Sequence, residues 1–171
     1  MSNIVNIRNL AETIDLKAMS RSLVFTAGGA SDAATFTGLS IDREAFGAGS
    51  LSQSMDVAVP YDVTLGSGAT LSITFDLQDS ADGVTWADFR TEAATVFATG
   101  PSGGGAVQGV ARMALGGSNV PPGDPGVNLG GARRFIRTLI VPDFSRAGTD
   151  TGLLSVVGVF GGFDRLPAPQ I

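Results

Sequence analysis

Two neighbouring segments of the chain alternate between apolar and polar residues with a period of two. In residues 54–65 the apolar positions are Met55, Val57, Val59, Tyr61, Val63 and Leu65. In residues 70–78 they are Leu71, Ile73, Phe75 and Leu77. Because successive side chains of a strand point to opposite faces, each segment predicts a strand with one buried and one solvated face, as in antiparallel sheets. The connection 66–68 contains two glycines and predicts a hairpin between the two strands.

Shorter apolar segments follow at regular spacing, and they predict further strands over 84–86, 94–98, 106–115, 134–141 and 153–160. The last of these is apolar on both faces, which favours a central position in its sheet. Seven or eight strands is the number that a two-sheet sandwich needs. We therefore predict an all-β fold, a two-sheet antiparallel β-sandwich of jelly-roll type over residues 51–171. The glycine- and proline-rich segment 116–132 is long for a connection, and such loops are usually functional or mobile.

The first 50 residues differ from the rest of the chain. Residues 1–50 are predicted to form an extended N-terminal arm with short strand or helix elements, including a short helix over 10–19. The arm could wrap its own domain or a neighbour. Its beginning is more apolar than a solvated tail needs to be, so we predict that it binds a partner through Ile4, Val5, Ile7, Leu10 and Ile14. A truncation starting near Ser20 is expected to fold with an unchanged melting temperature.

Composition removes most catalytic chemistry. The chain has no cysteine and no histidine, which excludes disulfides, Ser-His-Asp and Cys-His nucleophiles, and histidine-ligated metals. Its net charge of −5 makes nucleic acid a poor partner, because phosphate contacts require clustered positive charge. No apolar stretch is long enough for a membrane span, and the N-terminus lacks a signal-peptide pattern. We predict no enzymatic activity, no catalytic residues and no cofactor.

The segment 78–86 admits three interpretations. Asp76, Asp79 and Asp82 could supply oxygen ligands to calcium, or Trp86 could be a stacking platform for a sugar. Alternatively, Asp82 and Gly83 form a structural turn and Trp86 anchors the core near Phe75. The spacing of calcium-binding loops is absent, whereas turn chemistry accounts for every residue of the segment. The structural interpretation is favoured, and no metal site is predicted.

Three other groups of polar residues have ordinary explanations. The pairs Asp42 with Glu44 and Asp56 with Asp62 could serve a glycosidase, but Asp56 and Asp62 fall on the face assigned to solvent. The cluster of Arg133, Arg134 and Arg137 could bind phosphate, although arginines that flank a strand are favoured in so acidic a chain. The glycine-rich segment 100–105 lacks the Lys-Ser/Thr of a phosphate-binding loop.

A family resemblance rests on four segments of this chain. They are Ser-Ile-Asp-Arg at 40–43, Val-Ala-Val-Pro-Tyr-Asp-Val at 57–63, Gly-Ala-Thr-Leu-Ser-Ile at 68–73, and Leu-Gln-Asp-Ser-Ala-Asp-Gly-Val-Thr-Trp-Ala-Asp-Phe at 77–89. Arg-Arg-Phe-Ile-Arg at 133–137 and the strand near 153–161 extend the match to roughly residues 38–162. These segments resemble structural proteins of tailed bacteriophages, and specifically the jelly-roll capsid cement, or decoration, proteins.

The resemblance implies a structural virion protein that binds the outer capsid surface and cements neighbouring capsid subunits. Its implied partners are the major capsid protein and further copies of itself, as a homodimer or homotrimer. Its implied location is the exterior of a capsid assembled in the host cytoplasm. The alternative is a carbohydrate-binding β-sandwich in a phage tail appendage, which would present exposed aromatic side chains. The single Trp and single Tyr both fall on strands predicted to be buried, which disfavours this alternative.

Overall fold

The computed structural model describes residues 14–46, 51–113 and 126–163, and nearly all of its regular structure is strand. The strands are β1 (Asp15–Ala18), β2 (Leu23–Thr26), β3 (Phe36–Thr37), β4 (Ile41–Asp42), β5 (Ser52–Leu65), β6 (Thr70–Ser80), β7 (Ala87–Thr99), β8 (Gly105–Met113), β9 (Gly126–Asn128), β10 (Phe135–Phe144), β11 (Thr151–Leu154) and β12 (Val157–Phe163). A 3-10 helix, Arg43–Phe46, joins β4 to the segment before β5. Within the described ranges, no helix has the length and apolar character to cross a membrane.

The strands form two antiparallel sheets. In sheet A, β5 pairs with β8 and β9 along one side and with β11 and β12 along the other, and β2 and β1 lie beyond these. In sheet B the order is β7, β6, β10, and then β3 and β4. Counting strands that lie end to end as one position, each sheet is four positions wide. Along the chain, each connection from one position to the next passes to the other sheet, except the β6–β7 connection, which stays within sheet B. This is the strand order of an eight-stranded jelly roll. The predicted fold class is confirmed.

The inner faces of the two sheets form one core. The four apolar residues predicted for β6, Leu71 to Leu77 in alternation, are all fully buried, as are Met55, Val57 and Val59 of β5. Aromatic rings join the layers: the centroid of Phe25 in β2 lies 5.1 Å from that of Phe144 in β10. Phe46 of the 3-10 helix lies 4.8 Å from Phe160 of β12. The period-two pattern therefore identified the buried face correctly.

The predicted hairpin between β5 and β6 is wrong. The two strands belong to different sheets, and the connection at 66–68 turns from one sheet to the other. Gly66 N donates to Asp150 Oδ1 at 2.8 Å, and Ala69 N donates to Gly66 O at 3.0 Å. Two strands that face each other across a core show the same alternation as two strands paired in a hairpin, so periodicity cannot distinguish these arrangements.

Pro60 lies in the middle of β5, the central strand of sheet A, where a proline normally breaks the ladder. Its carbonyl accepts a hydrogen bond from Ser155 N at 3.1 Å. In an antiparallel strand the N–H and C=O of one residue point to the same side, so the missing donor of Pro60 faces the break between β11 and β12. The hydrogen bonds between β5 and β8, on the other side of β5, are therefore unaffected by Pro60.

The beginning of the chain is more closely tied to the sandwich than the sequence suggested. The predicted helix over 10–19 is wrong for residues 15–18, which form β1 and pair with β12. Strands β2, β3 and β4 pair with β11 and β10. Met19 is fully buried, so a truncation at Ser20 would remove both β1 and a core side chain. We now expect that truncation to lose stability, contrary to the prediction from sequence.

Two further strand predictions need correction. Residues 84–86 are not a strand but part of the turn between β6 and β7, because the hydrogen bonds of Asp82 close the chain there. The segment 116–132, expected to lack regular structure, contains β9, which pairs with residues 54–56 of β5. Its residues 114–125 lie outside the described part of the chain.

Candidate functional site

The turn between β6 and β7 is organised by Asp82. Its Oδ1 accepts hydrogen bonds from Thr85 N at 2.8 Å and from Val84 N at 2.9 Å, and from Ser80 Oγ at 2.8 Å. Gly83 has a φ of +73°, a left-handed conformation that favours glycine. The backbone N–H groups of Thr85 and Val84 hold the pKa of Asp82 well below its usual range, because they stabilise the ionised carboxylate. Asp82 and Gly83 thus lie in a turn, as the sequence suggested.

Trp86 lies outside the core, contrary to the expectation from sequence. It is half-buried, and the Arg137 guanidinium carbon lies 4.2 Å from the centroid of its ring. Arg137 Nε donates to Gln78 Oε1 at 2.9 Å, and Gln78 Nε2 donates to Asp88 Oδ1 at 2.8 Å. This network places Trp86 on the outer face of sheet B, where a cation–π contact covers one face of the indole.

The three carboxylates considered as calcium ligands have separate partners or positions. Asp79 is buried and accepts a hydrogen bond from Arg133 N at 2.9 Å, while its Oδ1 lies 3.3 Å from Arg133 Nε. Asp82 is committed to the turn, and Asp76 is half-buried on the outer face of β6, with its Oδ1 buried and without a hydrogen-bond partner. Among the residues that the structure describes, no three carboxylates come together in a group that could hold a metal ion.

The arginine cluster is largely neutralised by acidic neighbours. Arg134 donates to Asp42 through Nε at 2.9 Å and Nη2 at 2.7 Å, and its Nη1 lies 3.0 Å from Glu44 Oε2. The hydrogen bonds from Arg134 hold the pKa of Asp42 below its ordinary value. Because Arg133 is paired with Asp79 and Arg137 is stacked on Trp86, the cluster does not form an open phosphate site.

Asp56 and Asp62 do lie on the solvent face of β5, but they cannot act as a catalytic pair. Six residues of strand separate them by roughly 20 Å, whereas paired glycosidase carboxylates lie within about 10 Å of each other. Asp56 accepts from Arg112 Nε at 2.7 Å, and Asp62 accepts from Gln108 Nε2 at 2.9 Å, both across the β5–β8 pairing. These contacts are cross-strand pairs on a surface.

The same outer face of sheet A is unusually apolar. We define this outer face by five cross-strand rows: Leu16–Val159–Asp56; Ala18–Val157–Ala58–Arg112; Pro60–Val110; Val24–Leu153–Asp62–Gln108; and Thr26–Thr151–Thr64–Ala106. Leu16, Val24, Val110 and Leu153 are 59%, 70%, 65% and 44% exposed. They are four of the seven large hydrophobic residues exposed in the described part of the chain. Apolar patches of this kind mark interaction sites.

Shallow depressions on this outer face lie beside Leu153. One is lined by Pro60, Tyr61 and Ser155, and the other by Val24 and its neighbours on β5 and β11. Both depressions are wide open to solvent, so neither is a deep pocket for a small molecule. The outer face is therefore suited to contact with another protein surface. Sequence reasoning missed it, although the two-sided apolar character of residues 153–160 was a signal.

The predicted partner-binding residues of the arm fall mostly beyond the structure. Ile4, Val5, Ile7 and Leu10 lie outside the described residues. Ile14 is half-buried and immediately precedes β1, at the edge of sheet A.

The chain has only weak similarity to known proteins. No family model matches the chain, and no curated protein matches it. Among solved structures, VP2 in the subviral particle of infectious bursal disease virus is 17% identical over 86% of this chain and 32% of that chain, with a TM-score of 0.38. Dimeric latent PorU from Porphyromonas gingivalis is 12% identical over 87% of this chain and 12% of that chain, with a TM-score of 0.39.

A second infectious bursal disease virus structure, of its derived T=1 particles, is 16% identical over 86% of this chain and 31% of that chain, with a TM-score of 0.36. The chain thus spans less than a third of the length of these neighbours. Two of the three are components of virus particles. The TM-scores are too low to carry a functional argument, which has to come from this chain's own topology and surface.

Proposed function

We propose that this chain is a structural virion protein that binds the outer surface of a capsid and cements neighbouring capsid subunits. The observation that carries the proposal is the strand order of the two sheets, four positions each, which is that of the jelly roll, a fold used by viral capsid domains and also by lectins and cupins. Because one fold serves many functions, the proposal also rests on the surface properties of the described residues and on the resemblance of the sequence motifs to tailed-phage cement proteins.

The surface of the described residues supports a binding role rather than a catalytic one. The ionisable groups that sequence analysis considered are held in ion pairs, in a turn or on strand surfaces, and none lines a deep cavity together with a second such group. The chain has no histidine or cysteine to supply a nucleophile or base. A cement protein needs only complementary surfaces, and it gains affinity from many shallow contacts.

The capsid contact is assigned to the N-terminal segment. Ile4, Val5, Ile7 and Leu10 precede Ile14, and 13 residues in extended conformation can reach roughly 40 Å from the edge of sheet A. Such a segment can follow a curved capsid surface and become ordered on binding, at a cost in conformational entropy. In a homodimer or homotrimer, several identical segments would bind the major capsid protein together, which raises the overall affinity.

The alternative of carbohydrate binding in a tail appendage lacks a platform in the described residues. A sugar-stacking site needs an accessible aromatic face, yet Arg137 covers one face of Trp86 and Tyr61 is half-buried against the core. No observation on the described surface favours it over capsid binding.

The test is co-sedimentation of the purified chain with empty capsids of the phage that encodes it. Removing residues 1–13 keeps β1 and Met19, so the shortened chain should retain its melting temperature but lose capsid binding. The control is the full chain with Arg8→Ala, which alters the N-terminal segment but keeps its apolar residues, and it should bind capsids like the unmodified chain. Equal binding by the shortened and full chains would refute the role of the arm. A copy number in purified virions far below that of the major capsid protein would refute cementing itself.

A further inference from the structure

The outer face of sheet A carries very little charge for a chain with a net charge of −5. Across its five rows the ionisable side chains are Asp56, Asp62 and Arg112, and Asp56 is paired with Arg112. By contrast, every outer position of β6 in sheet B from Thr70 to Gln78 is polar or charged. Depletion of charge with retention of apolar residues is characteristic of the centre of protein interfaces.

We propose that the outer face of sheet A is covered by the same face of a second copy, so that two chains form a two-fold dimer with stacked sheets. This proposal deepens the self-association that forms part of the proposed function, and it assigns a surface to it. Sheets of equal twist pack face to face at about 10 Å with their strands within about 30°. Two identical sheets meet this condition without adjustment.

The size of the face is sufficient for a specific dimer. Four strand positions at about 4.8 Å and the nine residues Asp56–Thr64 of β5 at about 3.3 Å give a face of roughly 19 by 30 Å, or about 570 Å². Two stacked copies together then bury about 1,100 Å², above the roughly 1,000 Å² that a specific protein interface requires.

The cross-strand rows also provide a register in which charges are complementary. Consider a two-fold axis that runs along the central row, Pro60–Val110. Rotation about this axis places a residue of β5 that lies two positions after Pro60 over the residue that lies two positions before Pro60 in the other copy. Asp62 of one copy therefore lies over Ala58 of the other. Ala58 pairs directly with Arg112, so the carboxylate comes within one strand spacing of a guanidinium. The same operation places Leu153 over Val157, which pairs with Ala58.

An interface of this type is closed. The outer face of each chain is covered by the outer face of the other chain, so no equivalent surface remains for a third chain. The assembly has two copies, with an expected mass twice the 17.4 kDa of one chain. Because the axis runs along a row, Val24 of one copy lies over Ala18 of the other, so strands β1 and β2 of both copies lie along the same edge of the stack.

The test uses sedimentation velocity on the full chain and two matched variants. Val110→Asp places a carboxylate on the two-fold axis, directly opposite the same carboxylate of the other copy, so that two like charges are buried together. Val96→Asp makes the same substitution at a 58% exposed valine of β7, away from the face. We expect a dimer for the wild type and for Val96→Asp. For Val110→Asp we expect dissociation to be favoured by at least about 30-fold, the range of interface hot spots, with unchanged circular dichroism.

A change of charge tests the register and remains informative if Val110→Asp fails to fold. Asp62→Arg should weaken the dimer, since it opposes Arg112 of the other copy. Adding Arg112→Gln should restore part of the affinity, because it removes this repulsion without placing a carboxylate beside Asp56. A monomer or a trimer for the wild-type chain at about 100 μM would overturn the proposal, as would dissociation by Val96→Asp but not by Val110→Asp. Capsid co-sedimentation separates this proposal from the proposed function. A dimer that binds no capsid refutes only the function, and a monomeric wild type that binds capsids refutes only the dimer.

Discussion

Arg43 is the buried charge on which a strong stability effect is expected. It is 3% exposed, and its guanidinium donates to three backbone carbonyls: Ser52 O, Ala132 O and, at 3.1 Å, Arg133 O. These acceptors belong to the start of β5 and to the segment that leads into β10. One side chain of the 3-10 helix therefore holds together an end of sheet A and an end of sheet B.

The Arg43→Ala variant leaves these carbonyls without their donor in a region from which water is largely excluded. Each buried acceptor that loses its partner costs about 1–3 kcal/mol, and two of the three bonds are only partly buried, which favours the lower part of that range. The expected loss is about 3–5 kcal/mol of the free energy of unfolding. At about 3 °C per kcal/mol for a chain of this size, the melting temperature should fall by about 10–15 °C. Arg43→Lys should recover little, because one ammonium cannot span three separated acceptors as a planar guanidinium does.

The measurement is urea denaturation followed by far-ultraviolet circular dichroism, supported by calorimetry. Arg134→Ala is the control, since Arg134 pairs with the carboxylates of Asp42 and Glu44 and is 45% exposed, and its loss should cost under about 1 kcal/mol. If Arg43→Ala and Arg134→Ala shift the urea midpoint by the same small amount, the three carbonyls find other donors and the reasoning fails.

Three other predictions concern packing, pH and metals. Gly152→Val should cost about 2–4 kcal/mol, because a Cβ at Gly152 would approach Phe25 Cζ to 2.4 Å, whereas Gly131→Ala, which meets nothing within 4 Å, should be neutral by the same urea assay. The depressed pKa of Asp82 means that its contribution to stability is complete above the carboxylate's unfolded pKa of about 4 and is lost as the pH falls through the folded value, so melting temperature should decline below about pH 4, and less steeply in Asp82→Ala. EDTA should leave the melting temperature unchanged, since Asp79 is committed to Arg133 and Asp82 to the turn; a large drop would contradict this assignment.

The buried half of the sandwich was accessible from sequence because it depends on a local signal. Over residues 55–65 of β5 and 71–77 of β6 every second residue is apolar, and the inward positions are the ones that the alternation predicts. Pairing between strands depends on contacts far apart in sequence, and alternation is silent about these. The connection at 66–68 was therefore mistaken for a hairpin. Residues 15–18, with only Leu16 and Ala18 apolar, carry too short a pattern to distinguish strand from helix.

The position of Trp86 shows a different limit of sequence reasoning. An aromatic residue after a tight turn is commonly a core anchor, and nothing local contradicts that assignment. Its actual partner, Arg137, is 51 positions away in sequence and reaches it only because β10 lies beside β6. Likewise Arg43 has no local mark of burial, since its acceptors come from residues 52 and 132–133. Buried or stacked arginines are therefore recognised from the tertiary arrangement alone.

The outer face of sheet A depends both on a local signal in the sequence and on the tertiary arrangement of the strands. Its exposed apolar residues are contributed one or two at a time by β1, β2, β8 and β11, so no single segment carries a long apolar run. The one local sign was the apolar character of both faces of residues 153–160, which predicts a central position in the sheet. That position is correct, because β11 and β12 lie between β5 and the edge strands. A central strand whose outer side is also apolar must either be covered by its own chain or be left exposed. In the described residues no element covers Leu153, so the same signal that predicts centrality in the sheet also indicates a surface that another protein can cover.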